Sequence, residues 1–242
     1  MFKQFTFVLA FCSLTFTACD STQDLSAVLG TVLGESGALT NSEVISGLKQ
    51  ALEIGIGKGS DLLARQDGYY KSAYKILLPE EARKVTDRLQ NVPGFSALEE
   101  TVLEKINRGA EDAAAKAKPI FVDAIKSMTI GDAMGILKGD KDAATRYLER
   151  TTFDRLYNEF NPVIVASLDK FNARQYWADA VNTYNRIPLI GDPVDPDLDD
   201  YVTRRALDGL FAQVAKEELN IRDNISARTT DLLRKVFAAQ DN

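Results

Sequence analysis

Asn107, Arg108 and Glu111 lie within about one helical turn, and Glu218 precedes Arg222 by four residues. At that spacing on a helix, Asn107 shares a face with Glu111, and Glu218 with Arg222. Two chemistries suit such groups. Glu111 and Glu218 could converge as the acid and base of a hydrolase, or the early cluster could partner Glu218 or Arg222 in a buried polar network. The network is the favoured reading, because perturbed carboxylates occur in structural networks as well as in active sites. Tyr69, Tyr70 and Tyr74, together with Trp177, supply the aromatic surface from which a pocket lip could be built.

Two other stretches imitate ligand motifs and fail on spacing. Gly55-Ile56-Gly57-Lys58-Gly59-Ser60 looks like a phosphate loop, yet Leu52 stands where that loop needs Gly and Gly59 where it needs Ser or Thr. Gly55 and Gly59 are instead expected to let a neighbouring helix approach closely. Asp192, Asp195, Asp197, Asp199 and Asp200 mimic the opening of a calcium loop, but Asp200 replaces the turn Gly and Ala206 the bidentate Glu. No metal and no cofactor are expected.

Cys19 follows a basic start, Met1-Phe2-Lys3, an apolar run from Phe5 to Phe16 and the small pair Thr17-Ala18. This is the layout of a cleaved signal peptide, and a dozen apolar residues fall short of the ~20 needed to span a bilayer. Phe16-Thr17-Ala18-Cys19 resembles the bacterial lipobox, with Phe16 where Leu is usual, so lipidation of Cys19 is the favoured reading over ordinary cleavage. Several acyl chains, at ~0.8 kcal/mol for each buried CH₂, make a stable anchor. Cys12 then leaves with the leader and Cys19 is acylated, which excludes disulfides, a thiol nucleophile and Cys-ligated zinc. Asp20 resembles the inner-membrane retention signal of enterobacterial lipoproteins, although inner and outer membrane stay open. The expected organisation is a leader over 1–18, a lipid tether and helical lead-in over 19–39, and one domain over 40–242.

The chain has no histidine, which removes Ser-His-Asp triads, His-ligated metals and imidazole acid–base chemistry. Apolar residues make up 45% and charged residues 26%, the balance of a globular protein. A net charge of −6 argues against nucleic acid as a partner. Attachment to a membrane must therefore come from the lipid.

Elements that position these groups are expected to be helices throughout, giving an all-α, single irregular multi-helix bundle. Thr40 with Glu43 forms a capping box for a helix reaching about Arg65, where Asp67-Gly68 stops it. Pro79-Glu80-Glu81 opens another that Pro93-Gly94 closes. Ser96 with Glu99 is expected to cap a long Ala-rich helix that Pro119 kinks or restarts, and Thr129 with Asp132 caps its short successor. A helix from Asp140 should bend at Asn161-Pro162. Ile187 to Pro196 reads as the only long loop, after which Asp199 caps a helix through Val214, and Leu232 to Phe237 forms the last one.

The words Gly47-Leu48-Lys49, Asp67-Gly68, Asn107-Arg108-Gly109-Ala110-Glu111, Met128-Thr129 and Tyr201-Val202-Thr203 resemble a bacterial family catalogued as domain of unknown function four-one-nine-seven. Ala206-Leu207-Asp208-Gly209-Leu210-Phe211 and Glu217-Glu218 with Ile221-Arg222 add to the likeness. The resemblance implies an all-helical envelope protein, often a lipoprotein, and no activity, so no functional residue is carried over from it. The expectation is a periplasm-facing, non-enzymatic lipoprotein that binds a protein partner or scaffolds an envelope assembly. A helical carrier for a small apolar or amphiphilic ligand is the alternative, and a carboxylate-dependent hydrolase the second alternative.

Overall fold

The computed structural model describes residues 40–170, 172–187, 193–194 and 197–238, and Cys19 and Asp20 lie outside them. Helices α1 (Asn41–Leu63), α2 (Glu80–Leu89), α3 (Leu98–Ala114), α4 (Ala117–Ser127) and α5 (Ile130–Lys138) come first. They are followed by α6 (Ala143–Lys170), α7 (Ala173–Asn185), α8 (Asp199–Asp223) and α9 (Asp231–Ala238), with a 3-10 turn at Ile225–Ala227. No strand occurs among the described residues, so the fold is an all-α bundle.

Local chemistry sets several helix ends. Thr40 and Thr129 each accept the backbone N–H three residues on, while Glu43 and Asp132 reach back to the threonine N–H at 2.9 and 3.0 Å. Each reciprocal pair satisfies two backbone donors that a helix start leaves open. The break before α4 falls at Ala115-Lys116, and Pro119 sits in the first turn of the restarted helix, where its missing N–H costs nothing.

Elsewhere the sequence-based expectations need correcting. Ser96 does not cap α3: a turn from the Phe95 carbonyl to the Leu98 N–H, 3.0 Å, starts that helix with Ala97 at the cap and no side-chain bond. Asp199 lies inside α8 rather than before it, and its own N–H is met by Asp197 Oδ1 at 2.8 Å. Helix α6 runs unbroken through Pro162. Its buried stripe of Leu156, Phe160, Ile164 and Leu168 continues on both sides of the proline, and that burial offsets the ~3 kcal/mol such a residue costs in mid-helix. Residues 65–79 are a second long non-helical segment, between α1 and α2.

Helix α8 is central. It packs against α1, α6 and α3, while α3 lies along α6, and α9 covers the outer end of α1. Gly55 and Gly59 make the α1–α8 approach close, since a Cβ on Gly55 would stand 3.1 Å from Ile221 Cδ1 and one on Gly59 would stand 3.2 Å from Gln213 Cγ. The glycine-rich stretch is therefore mid-helix packing, with no loop in which phosphate could be cradled. Phe121, Phe160, Leu148 and Leu210 are fully enclosed in the core.

Candidate functional site

The segment 65–79 has no regular backbone pairing, so its polar groups need partners from elsewhere. Helix α3 supplies them. Asn107, fully buried, accepts the Ile76 N–H through Oδ1 at 2.8 Å and donates Nδ2 to the Ile76 carbonyl at 2.9 Å, so one side chain pairs with the segment as a strand would. One turn on, Glu111 Oε1 accepts both the Tyr69 and Tyr70 N–H groups at 3.1 Å, and Oε2 accepts from Arg108 Nη1 at 2.8 Å. Arg108 also grips Asp67 at 2.8 Å and lies over the Tyr70 ring. Asp67 takes a left-handed backbone, φ 67°, which aspartate tolerates better than most residues. The Arg108 guanidinium holds the Asp67 carboxyl below its ordinary range, and the Glu111 bond raises Arg108 further above its own.

Glu218 and Arg222 form a different assembly. From α8, the Glu218 carboxylate accepts the Ala144 and Thr145 N–H groups at 3.0 and 2.8 Å and the Thr145 hydroxyl at 2.8 Å. It therefore caps the positive N-terminal end of α6 from a neighbouring helix. Arg222 bonds Glu218 at 2.8 Å and the Ile136 carbonyl near the end of α5 at 2.8 Å. The partnership expected between Asn107 or Glu111 and Glu218 or Arg222 is thus corrected. There are two networks, and each carboxylate spends its oxygens on backbone N–H groups and an arginine of its own helix.

The four aromatic residues do not share one pocket. Tyr69 is wholly enclosed, its hydroxyl donating to the Ala206 carbonyl at 2.6 Å, and burial pushes its phenol up from the ordinary value. Tyr70 is half-buried between Arg108 and Lys75. Tyr74 donates to Gln213 Oε1 at 2.7 Å and lines a surface groove with Tyr201 and Arg205. Trp177 alone stands in a deeper cleft.

That cleft, of about 380 Å³, opens where α3, the end of α6, α7 and the start of α8 meet. Its floor is apolar, built from Val102, Ile106, Leu168, Trp177, Ala178 and Leu198. Its rim is charged. Arg174 bonds Asp169 at 3.2 Å and Asp199 at 2.9 Å, while Asp197 and Gln175 complete the edge. Burial pushes the Asp199 carboxyl up from its ordinary value, Arg174 pulls it back, and the neighbouring Asp197 and Asp169 push it up again. Trp177 is 2% exposed, and its indole N–H has no acceptor among the described residues. A buried donor left unmet costs ~1–3 kcal/mol, and this one has essentially no exposed surface, so it lies behind the wall and not open to the cleft. The volume falls in the range of small-molecule sites.

Asp192 and Asp195 lie outside the described residues. The rest of the aspartate cluster is engaged by protein groups: Asp197 by the Asp199 N–H, Asp199 by Arg174, and Asp200 by the Tyr157 hydroxyl and Arg204. Among the described residues no group of carboxylates is arranged to hold a metal ion. Asp169 and Arg174 escaped sequence reasoning, although their spacing across a helix junction was the available signal. Arg228 escaped it too: buried, it donates to the Ile221 and Arg222 carbonyls and closes the end of α8.

A family model described as Protein of unknown function (DUF4197) matches residues 38–238, and the chain belongs to that family. No curated protein and no solved structure matches it.

Proposed function

We propose that this member of the family is a lipid-tethered, non-enzymatic binding protein of the bacterial envelope that holds a small apolar or amphiphilic molecule in the cleft walled by Trp177. The cleft carries this reading: an apolar floor and a polar rim form the usual make-up of a ligand site. The tether is Cys19, with the domain facing the periplasm. A hydrolase would need two converging carboxyls, and Glu111 and Glu218 instead serve separate helix and segment ends. A scaffold would need a continuous apolar face. Leu62, Leu77, Ile130, Leu219 and Ile225 are exposed, one to an element, as is ordinary on globular surfaces.

Native mass spectrometry of the full-length protein, extracted with its lipids, tests the reading. A one-to-one adduct that disappears in Ala178→Phe, which fills the cleft, is the expected result, and a bare acylated polypeptide refutes ligand binding. Labelled palmitate should enter the chain and be lost in Cys19→Ala. A wild-type protein that takes up no label and fractionates as soluble removes the tether.

A further inference from the structure

Resting on the cleft as the binding site, we infer that its occupant is an amphiphilic amine, its ammonium at the Asp169–Asp199 edge and its alkyl body on the apolar floor. The charge of the rim selects this chemistry. Asp169, Asp197 and Asp199 stand at the edge with the guanidinium of Arg174, which bonds Asp169 and Asp199, so the acidic groups outnumber the base there. The N-terminus of α8, where Asp199 sits, returns roughly half a unit of positive charge, so the sign at the edge stays negative. A carboxylate-headed amphiphile is repelled there, and an ammonium reduces the excess.

The alkyl body then lies on Leu168, Trp177, Ala178 and Leu198.

Trp177 is the one tryptophan of the chain, so its emission reports on this wall without labelling. The full-length protein in detergent should be titrated with aminooctanol, octanediol and octanoate, which share a body and carry positive, zero and negative charge. Aminooctanol is expected to shift the emission saturably, octanediol to bind about tenfold more weakly and octanoate to leave the signal unchanged. Asp199→Asn should weaken aminooctanol about tenfold and leave octanediol where it was. Asp169→Asn, at the exposed rim, should give a smaller loss in the same direction, and circular dichroism checks that both variants fold. Equal binding of the three compounds, or an aminooctanol affinity indifferent to both substitutions, overturns the charge assignment and leaves the cleft as a ligand site. Binding of none, in wild type, overturns both.

Discussion

Tyr69 lies against Gly209 so closely that a Cβ on the glycine would stand 2.8 Å from Tyr69 Cε1. The ring cannot retreat, because its hydroxyl is fixed on the Ala206 carbonyl one turn earlier on the same helix. Gly209→Ala is therefore expected to cost about 1–3 kcal/mol by overpacking. Gly57 is the contrast: in α1, a Cβ there would meet only the Lys118 side chain, 3.4 Å away. Gly57→Ala should gain about 0.5–1 kcal/mol from helix propensity. Thermal midpoints of the two variants should move in opposite directions, and movement in the same direction contradicts the packing described.

Removing Glu111 strands one buried and one half-buried N–H group and takes from Arg108 one of three carboxylate partners, Asp67 and Glu104 remaining. Glu111→Ala should cost about 3–5 kcal/mol, as when one partner of a buried ion pair is deleted. Glu111→Gln keeps an acceptor oxygen and should cost less. Chemical denaturation ranks them, and hydrogen exchange at Tyr69 and Tyr70 should speed up first in the alanine variant.

Glu218→Ala should be damaging for a different reason, since it uncaps α6 and leaves Arg222 without its carboxylate. A cost of about 3–5 kcal/mol is expected, with faster exchange localised at Ala144 and Thr145. Combining it with Glu111→Ala should give nearly additive losses, because the networks share no partner.

Asp67 and Asp199 should respond to pH with opposite signs. Asp67 is held below its ordinary range by Arg108, so its contribution is present above that range and fades as pH falls through its folded value. Asp67→Asn should then lower the melting temperature at neutral pH, with the difference closing in acid. Asp199 is pushed upward by burial, so the folded state favours its protonated form and loses stability as pH rises through the folded value. Asp199→Asn, which cannot ionise, should melt higher than wild type at neutral pH and match it below the ordinary carboxylate range. A melting temperature for Asp199→Asn below that of wild type at neutral pH sinks this assignment.

What was legible in the sequence was what depends on near neighbours. Thr40 with Glu43 and Thr129 with Asp132 are three residues apart, so their types and spacing suffice to announce a helix start. Ser96 with Glu99 has the same spelling, but the Phe95 turn, stacked on Tyr176, settles that end first. Pro162 could not be placed from its own type either, because whether a helix survives a proline depends on what it buries. The networks were half legible. Arg108 and Glu111 meet within one helix, whereas the groups Glu111 serves at Tyr69 and those Glu218 serves at Ala144 are set by how helices dock. The cleft was least legible, since it is bounded by four elements distant along the chain, and Trp177, Asp197 and Asp199 of its lining had drawn notice for separate reasons.

The segment around Tyr69 borrows its fastenings from downstream: Glu111 lies 42 residues further on and the Ala206 carbonyl 137. Synthesis from the N-terminus exposes this stretch long before its clasp arrives. Until α8 has emerged, Tyr69 has nowhere to rest, so this tyrosine should be among the last side chains to become protected and the stretch a protease cuts before folding is complete.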